Sequence, residues 1–111
     1  MAEPNDGQVA FLEIGSGDIA ATRKFFAAVF DWPCHDGVSF QTPEIKAGSH
    51  GDDPSPQIYV YFKVVDLEAA AARVRAAGGE AGAPTDEPGF GRFVQCRDPS
   101  GIQFGLHNTL A

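Results

Sequence analysis

The chain has 111 residues, is 43% hydrophobic and 21% charged, and carries a formal net charge of −7 with a pI near 4.7. That length holds one domain and not two ordinary ones. The acidic balance excludes nucleic acid and anionic membrane as partners, because no basic face would offset the phosphates.

Residues 1–8, "MAEPNDGQ", read as a flexible N-terminus ahead of a single domain over 9–110. A strand is predicted over 9–15. Asp18 then offers a carboxylate to the unpaired amides of a helix over about 19–30, with Phe26, Val29 and Phe30 on one side and Pro33 as a stop. Strands follow near 32–35, 38–42 and 45–50. "GDDPSPQ" (51–57) is a connection. A second strand–cap–helix run comprises a strand near 58–65, Asp66 as cap and a helix over about 67–77 bearing Leu67, Ala70, Val74 and Ala77. Glu68 complements its dipole and Gly78-Gly79 end it. Strands near 80–83, 92–97 and 102–107 complete the chain, with "APTDEPGFGRF" (83–93) as a loop and "RDPSG" (97–101) as a turn. "GFGR" (89–92) lacks the order of a phosphate loop and leads into a strand, so its glycines are read as turn residues.

No basic-then-apolar leader opens the chain and no apolar run is long enough to span a bilayer. Cys34 and Cys96 form no C-x-x-C pattern. A cytoplasmic protein with two reduced thiols is the expectation.

The two halves match each other. An offset of 48 residues lays "FLEIGSGD" over "YVYFKVVD", pairing Phe11 with Tyr59, Leu12 with Val60, Ile14 with Phe62 and Asp18 with Asp66. An offset of 57 lays "IKAGSHG" (45–51) over "IQFGLHN" (102–108). Just upstream, "SFQT" lies over "FVQC", pairing Phe40 with Val94 and Gln41 with Gln95. The nine extra residues are assigned to the loop before that strand pair, where insertions are tolerated. Ordered agreement of strands, caps and a terminal I-x-x-G-x-H predicts duplicated strand–helix–strand–strand–strand modules, one over about 9–51 and one over about 58–108.

Such a tandem βαβββ repeat resembles the vicinal oxygen chelate superfamily, which includes glyoxalase I, bleomycin-resistance proteins and extradiol dioxygenases. "FLEIGSGDIAATRKFFAAVFDW" is similar to the opening strand and helix of that family. Phe25-Phe26 stands where a Phe-Tyr pair is common, and Phe30-Asp31-Trp32 where Phe-Gly-Trp is frequent in the glyoxalase-like branch. "YVYFKVVDLEAAAARVRAAGGE" resembles the opening of the second module and "GRFVQCRDPSGIQFGL" its close, with Asp98-Pro99-Ser100-Gly101 as the turn. The resemblance covers 9–107. It implies an α+β fold in which the modules form a half-open eight-stranded barrel, or cup, with helices outside. It also implies a homodimer and a small-molecule ligand.

In the family a divalent metal often sits in the cup, held by His, Glu or Gln from the first and last strands of each module. Those four positions here are Phe11, Gly48, Tyr59 and Gly105. Only Tyr59 has a side-chain donor atom, so no metal cofactor is expected. Strand alternation puts Glu13 on the face of Phe11, Tyr61 with Tyr59, His50 with Gly48, and His107 with Gly105. A displaced metal on Glu13, His50 and His107 is the alternative. A carboxylate among apolar strand neighbours must be solvated, paired or used. Glu13 is therefore either ion-paired, with Arg92, Arg97 or Lys63, or a polar anchor or general base for a ligand. Trp32, Phe40, Phe90 and Phe93 are core or interface aromatics, or else line a ligand pocket. Gly48 and Gly105 would leave room for that ligand. The expected ligand-binding set is Phe11, Glu13, Trp32, Gly48, Tyr59, Tyr61, Phe93 and Gly105. The expected function is metal-free binding of a small organic molecule. The alternative is a lyase or isomerase of the glyoxalase type with a displaced metal or Glu13 as base.

Overall fold

A computed structural model describes residues 2–33, 39–88 and 90–108. Its elements run β1 (Val9–Gly15), α1 (Ile19–Phe30), β2 (Phe40–Gln41), β3 (Lys46–His50), β4 (Gln57–Lys63), α2 (Leu67–Ala76), β5 (Glu80–Ala81), β6 (Thr85–Glu87), β7 (Gly91–Arg97) and β8 (Gln103–Asn108). The fold is α+β, as expected. The strand expected near 32–35 and Cys34 lie, wholly or in part, outside the described residues, as does Gly89. None of the helices is long and apolar enough to cross a membrane, among the described residues. The chain divides into two compact units, Phe11–Tyr59 and Met1–Ala10 with Val60–Ala111.

In the Phe11–Tyr59 unit, β3 lies between β1 and β2, parallel to the first and antiparallel to the second. The Asp18 side chain accepts from the Ala21 amide, and the Ser16 hydroxyl bonds both the Asp18 amide and the Thr22 hydroxyl, so the turn into α1 is fixed by short side chains. α1 ends one residue before Asp31, which adopts the left-handed conformation (φ 57) and returns its amide to Ala27. The stop is therefore made by Asp31, two residues ahead of Pro33. Leu12 and Ile14 point to the α1 side of the strands and pack with Phe26, Trp32, Phe40 and Ala47. By alternation Phe11 and Glu13 occupy the opposite face.

In the other unit, β4 and β8 are parallel, β8 pairs antiparallel with β7, and β5 and β6 both pair with β7. Asp66 caps α2 through the Ala69 amide, Glu68 lies in the first turn and Arg73 and Arg75 in the last. Gly78 ends the helix region at φ 92, a conformation that favours glycine. The core joins Val64, Leu67, Ala70 and Ala71 to Val94, Cys96 and Leu106. Burial raises the pKa of the Cys96 thiol. The N-terminal turn is tied in as well: Asp6 accepts from the Val65 amide and from Arg73.

The pairing corrects two readings. The stretch assigned to a loop contains β6, which forms a hairpin with β7 in the register Asp86↔Arg92. Ala47 is the counterpart of Phe104, and their antiparallel partners are Phe40 and Cys96. Phe40 thus matches Cys96 and not Val94, a shift of two residues that keeps the same face inward. A two-residue slip in a period-two element is invisible to hydrophobic pattern.

Candidate functional site

Among the described residues, each unit builds a side-chain cluster on the strand face opposite its helix-packed core. In the Phe11–Tyr59 unit the parallel register sets Glu13 opposite Gly48. A Cβ on Gly48 would collide with Oε1 of Glu13, so the carboxylate lies across the glycine. The room that Gly48 leaves is therefore filled by Glu13 itself. Oε2 of Glu13 is 2.6 Å from Nδ1 of His50, at the end of β3. Nε2 of the same ring is 3.0 Å from Oδ2 of Asp53. That oxygen also accepts from the Tyr59 hydroxyl at 2.9 Å, while Oδ1 accepts from the Ser55 amide at 2.8 Å.

The chemistry of this chain follows from its donors. Both imidazole nitrogens face carboxylate oxygens, which only accept, so the ring is satisfied as the imidazolium with two N–H donors. The Glu13 bond, and after it the Asp53 bond, raises the His50 pKa above 6.5 against a smaller loss from burial. Asp53 is held below 3.8, first by the Ser55 amide and then by His50 and Tyr59. The partner of Glu13 is His50, and not Arg92, Arg97 or Lys63. Arg92 instead bonds Glu68 and Asp86 at 2.6 Å each.

In the other unit the equivalent register sets Tyr61 opposite Gly105. A Cβ on Gly105 would strike the Tyr61 ring, so the phenol covers that glycine as Glu13 covers Gly48. Tyr61 packs edge-on against Phe90 and Phe93. His107 is buried, 2.7 Å through Nε2 from the Phe90 carbonyl, with its ring against the Phe90 ring. It holds Phe90, just ahead of β7.

Of the expected site residues, the structure gathers Glu13, Gly48, His50 and Tyr59 into one cluster and Tyr61, Phe93, Gly105 and His107 into another. Phe11 is buried. Trp32 stacks on Phe26 and Phe30 and meets Phe40, on the α1 side of the strands and so on the face opposite Glu13. Asp53 was missed. Its only signal was an aspartate three residues after His50, in a connection read for turn chemistry alone.

The donor set does not fit a chelated divalent ion. Phe11, Gly48 and Gly105 offer no ligand atom, and the Tyr59 hydroxyl donates to Asp53. In the alternative set His50 bonds Oε2 of Glu13 through one nitrogen and Asp53 through the other, and His107 serves the Phe90 carbonyl. Among the described residues, His, Cys, Asp and Glu form no group of three or more able to hold a metal.

Residues 8–106 match the family described as the Glyoxalase/Bleomycin resistance protein/Dioxygenase superfamily. Anthracycline biosynthesis protein DnrV of Streptomyces peucetius is 30% identical over 127 aligned positions, covering 90% of this chain and 46% of that protein. The chain thus spans about half the length of the curated relatives it matches. Among solved structures, methylmalonyl-CoA epimerase from Mycobacterium tuberculosis superposes with a TM-score of 0.68 at 14% identity, over 100% of this chain and 93% of that one. Homoprotocatechuate 2,3-dioxygenase from Brevibacterium fuscum gives 0.70 at 17% identity, over 99% of this chain and 39% of that one. These likenesses show a shared fold.

Proposed function

Since this chain belongs to the Glyoxalase/Bleomycin resistance protein/Dioxygenase superfamily, we propose that it binds a small organic molecule without a chelated metal, using Glu13 as the polar anchor. One observation carries the reading. Of the first-strand and last-strand positions where the family places ligands, Phe11, Gly48 and Gly105 have no donor atom, the Tyr59 hydroxyl is given to Asp53, and the space above Gly48 is taken by the Glu13 carboxylate. The anthracycline biosynthesis relatives make a polycyclic aromatic compound a reasonable first class to screen.

The test is metal analysis of the purified protein, titration with Zn²⁺, Ni²⁺ and Mn²⁺, and a thermal-shift screen of aromatic and thiol-adduct ligands. The reading expects no stoichiometric metal and a ligand-dependent shift that Glu13→Gln abolishes. Tight stoichiometric metal binding lost in Glu13→Ala would overturn it.

A second reading is proton transfer of the lyase or isomerase type with Glu13 as general base. It is favoured by Oε1 of Glu13, which has no hydrogen-bond partner among the described residues, while Oε2 is bonded to His50. Conversion of a bound ligand, or exchange of its carbon-bound hydrogen with solvent deuterium, distinguishes it from binding alone.

A further inference from the structure

We propose that Asp53 is a positioning residue. It holds the His50 ring against Glu13, so that Glu13 presents Oε1 across Gly48 to a hydrogen-bond-donating group of the bound molecule. The inference rests on Glu13 being the anchor, and deepens that reading by naming what fixes the anchor and what it receives.

Asp53 is the fixed point of the cluster. Its side chain is 7% exposed, against 23% for Glu13 and 43% for His50. Its amide donates to the Ser16 carbonyl at 3.0 Å, and its carboxylate is held by the Ser55 amide and the Tyr59 hydroxyl. Gly15 presses against it: a Cβ there would collide with Oδ2 of Asp53 and approach Nε2 of His50 at 2.8 Å. His50, by contrast, ends its strand and is the most open member. Its ring is oriented by the two carboxylates and by stacking on Tyr59 at 6.2 Å. The groups facing it are Glu13 from β1, Asp53 from the connection after β3, and Tyr59 from β4. Arg23 of α1 bonds the neighbouring Ser49. Without Asp53, Nε2 would turn to water and Glu13 would lose a ring held at fixed angle.

The same bonds define the ligand class. Both imidazolium N–H groups and the Tyr59 O–H are committed inside the cluster. What remains toward a ligand is the acceptor capacity of Oε1, in a group of two carboxylates and one imidazolium. An ammonium or other N–H or O–H donor fits it, and a carboxylate does not.

The experiment uses ¹⁵N-labelled full chain at one fixed pH, with benzylammonium and benzoate as probes. In wild type both His50 ring nitrogens should give the N–H signature, and benzylammonium alone should shift the Glu13, Gly48 and His50 amides. Asp53→Asn removes the charge. Gly15→Ala drives the carboxylate away without removing it. Each should move Nε2 of His50 out of the N–H state and weaken benzylammonium by about tenfold, the value of one hydrogen bond to a charged group. A purely structural role would lower the melting temperature and leave the ring signature unchanged. If Glu13→Gln abolishes binding while Asp53→Asn and Gly15→Ala leave signature and affinity as in wild type, the positioning role is overturned and the anchor stands. If Glu13→Gln has no effect, the anchor itself fails. Binding of benzoate, or of neither probe, overturns the donor class. Should Asp53→Asn not fold, Gly15→Ala and Tyr59→Phe give the same two readouts.

Discussion

The Glu13–Gly48 and Tyr61–Gly105 regions share a backbone and differ in chemistry. In each, a glycine on the last strand of a module lies beside a first-strand residue in parallel register, and that residue lies over it. At Gly105 the cover is a phenol ring, 7% exposed and packed on Phe90 and Phe93. At Gly48 it is a carboxylate, 23% exposed, with one oxygen paired to His50. The two parallel registers thus leave equivalent openings in the side-chain layer. The aromatic one is closed by packing, and the acidic one stays polar and available.

The largest break in this comparison is Tyr61→Ala. Emptying a buried ring over Gly105 should cost about 3–5 kcal/mol in denaturant unfolding, whereas Glu13→Ala should cost less than about 1 kcal/mol, as for other half-exposed pairs. Equal costs would mean that the two covers play the same structural part. Next come the glycines. Gly105→Ala forces a methyl into the Tyr61 ring and should cost about 1–3 kcal/mol. Gly48→Ala meets only the end of a flexible carboxylate, so it should cost less and show instead as lost ligand response.

The third effect is in pH. His50 is held above 6.5, so its contribution is complete below pH 6.5 and is lost as pH rises through the folded value. Asp53 is held below 3.8, so its contribution is complete above pH 3.8 and is lost as pH falls through its folded value. The polar cluster is therefore at full strength between about pH 4 and pH 6.5. Melting temperatures should decline gently on the alkaline side by an amount worth less than about 1 kcal/mol, and His50→Gln should flatten that decline. The smallest effect is Arg92→Ala, which removes two exposed ion pairs with Glu68 and Asp86. It should be measurable at low salt and vanish at high salt.

Most of the fold was legible because its signals are local. Asp18, Asp66 and Gly78 mark helix ends by their own chemistry, and β1 and α1 fall where the pattern put them. The face shared by Phe11, Glu13 and Gly48 was legible too, since alternation has period two. What was not legible was longer in range. The partner of Glu13 is His50, thirty-seven residues away, and no spacing rule selects it over Lys63, Arg92 or Arg97. Asp53 was hidden because its role depends on Gly15 leaving space, which the sequence shows only as a glycine in a strand. β6 was lost to a stretch bearing two prolines and two glycines, where the partner strand supplies the order that propensity denies. Trp32 looked equally suited to core and pocket until Asp31 turned the chain back over α1.

The second module is longer than the first between corresponding positions, and the pairing shows where the added chain went. It lies before β7 and in the turn to β8, with β6 in the longer portion. Neither addition changes the alignment of Tyr61 with Gly105. Length can therefore differ at a hairpin while the pairing frame of the first and last strands is the same. The frame that seats a buried phenol ring in one unit seats a partly exposed carboxylate in the other.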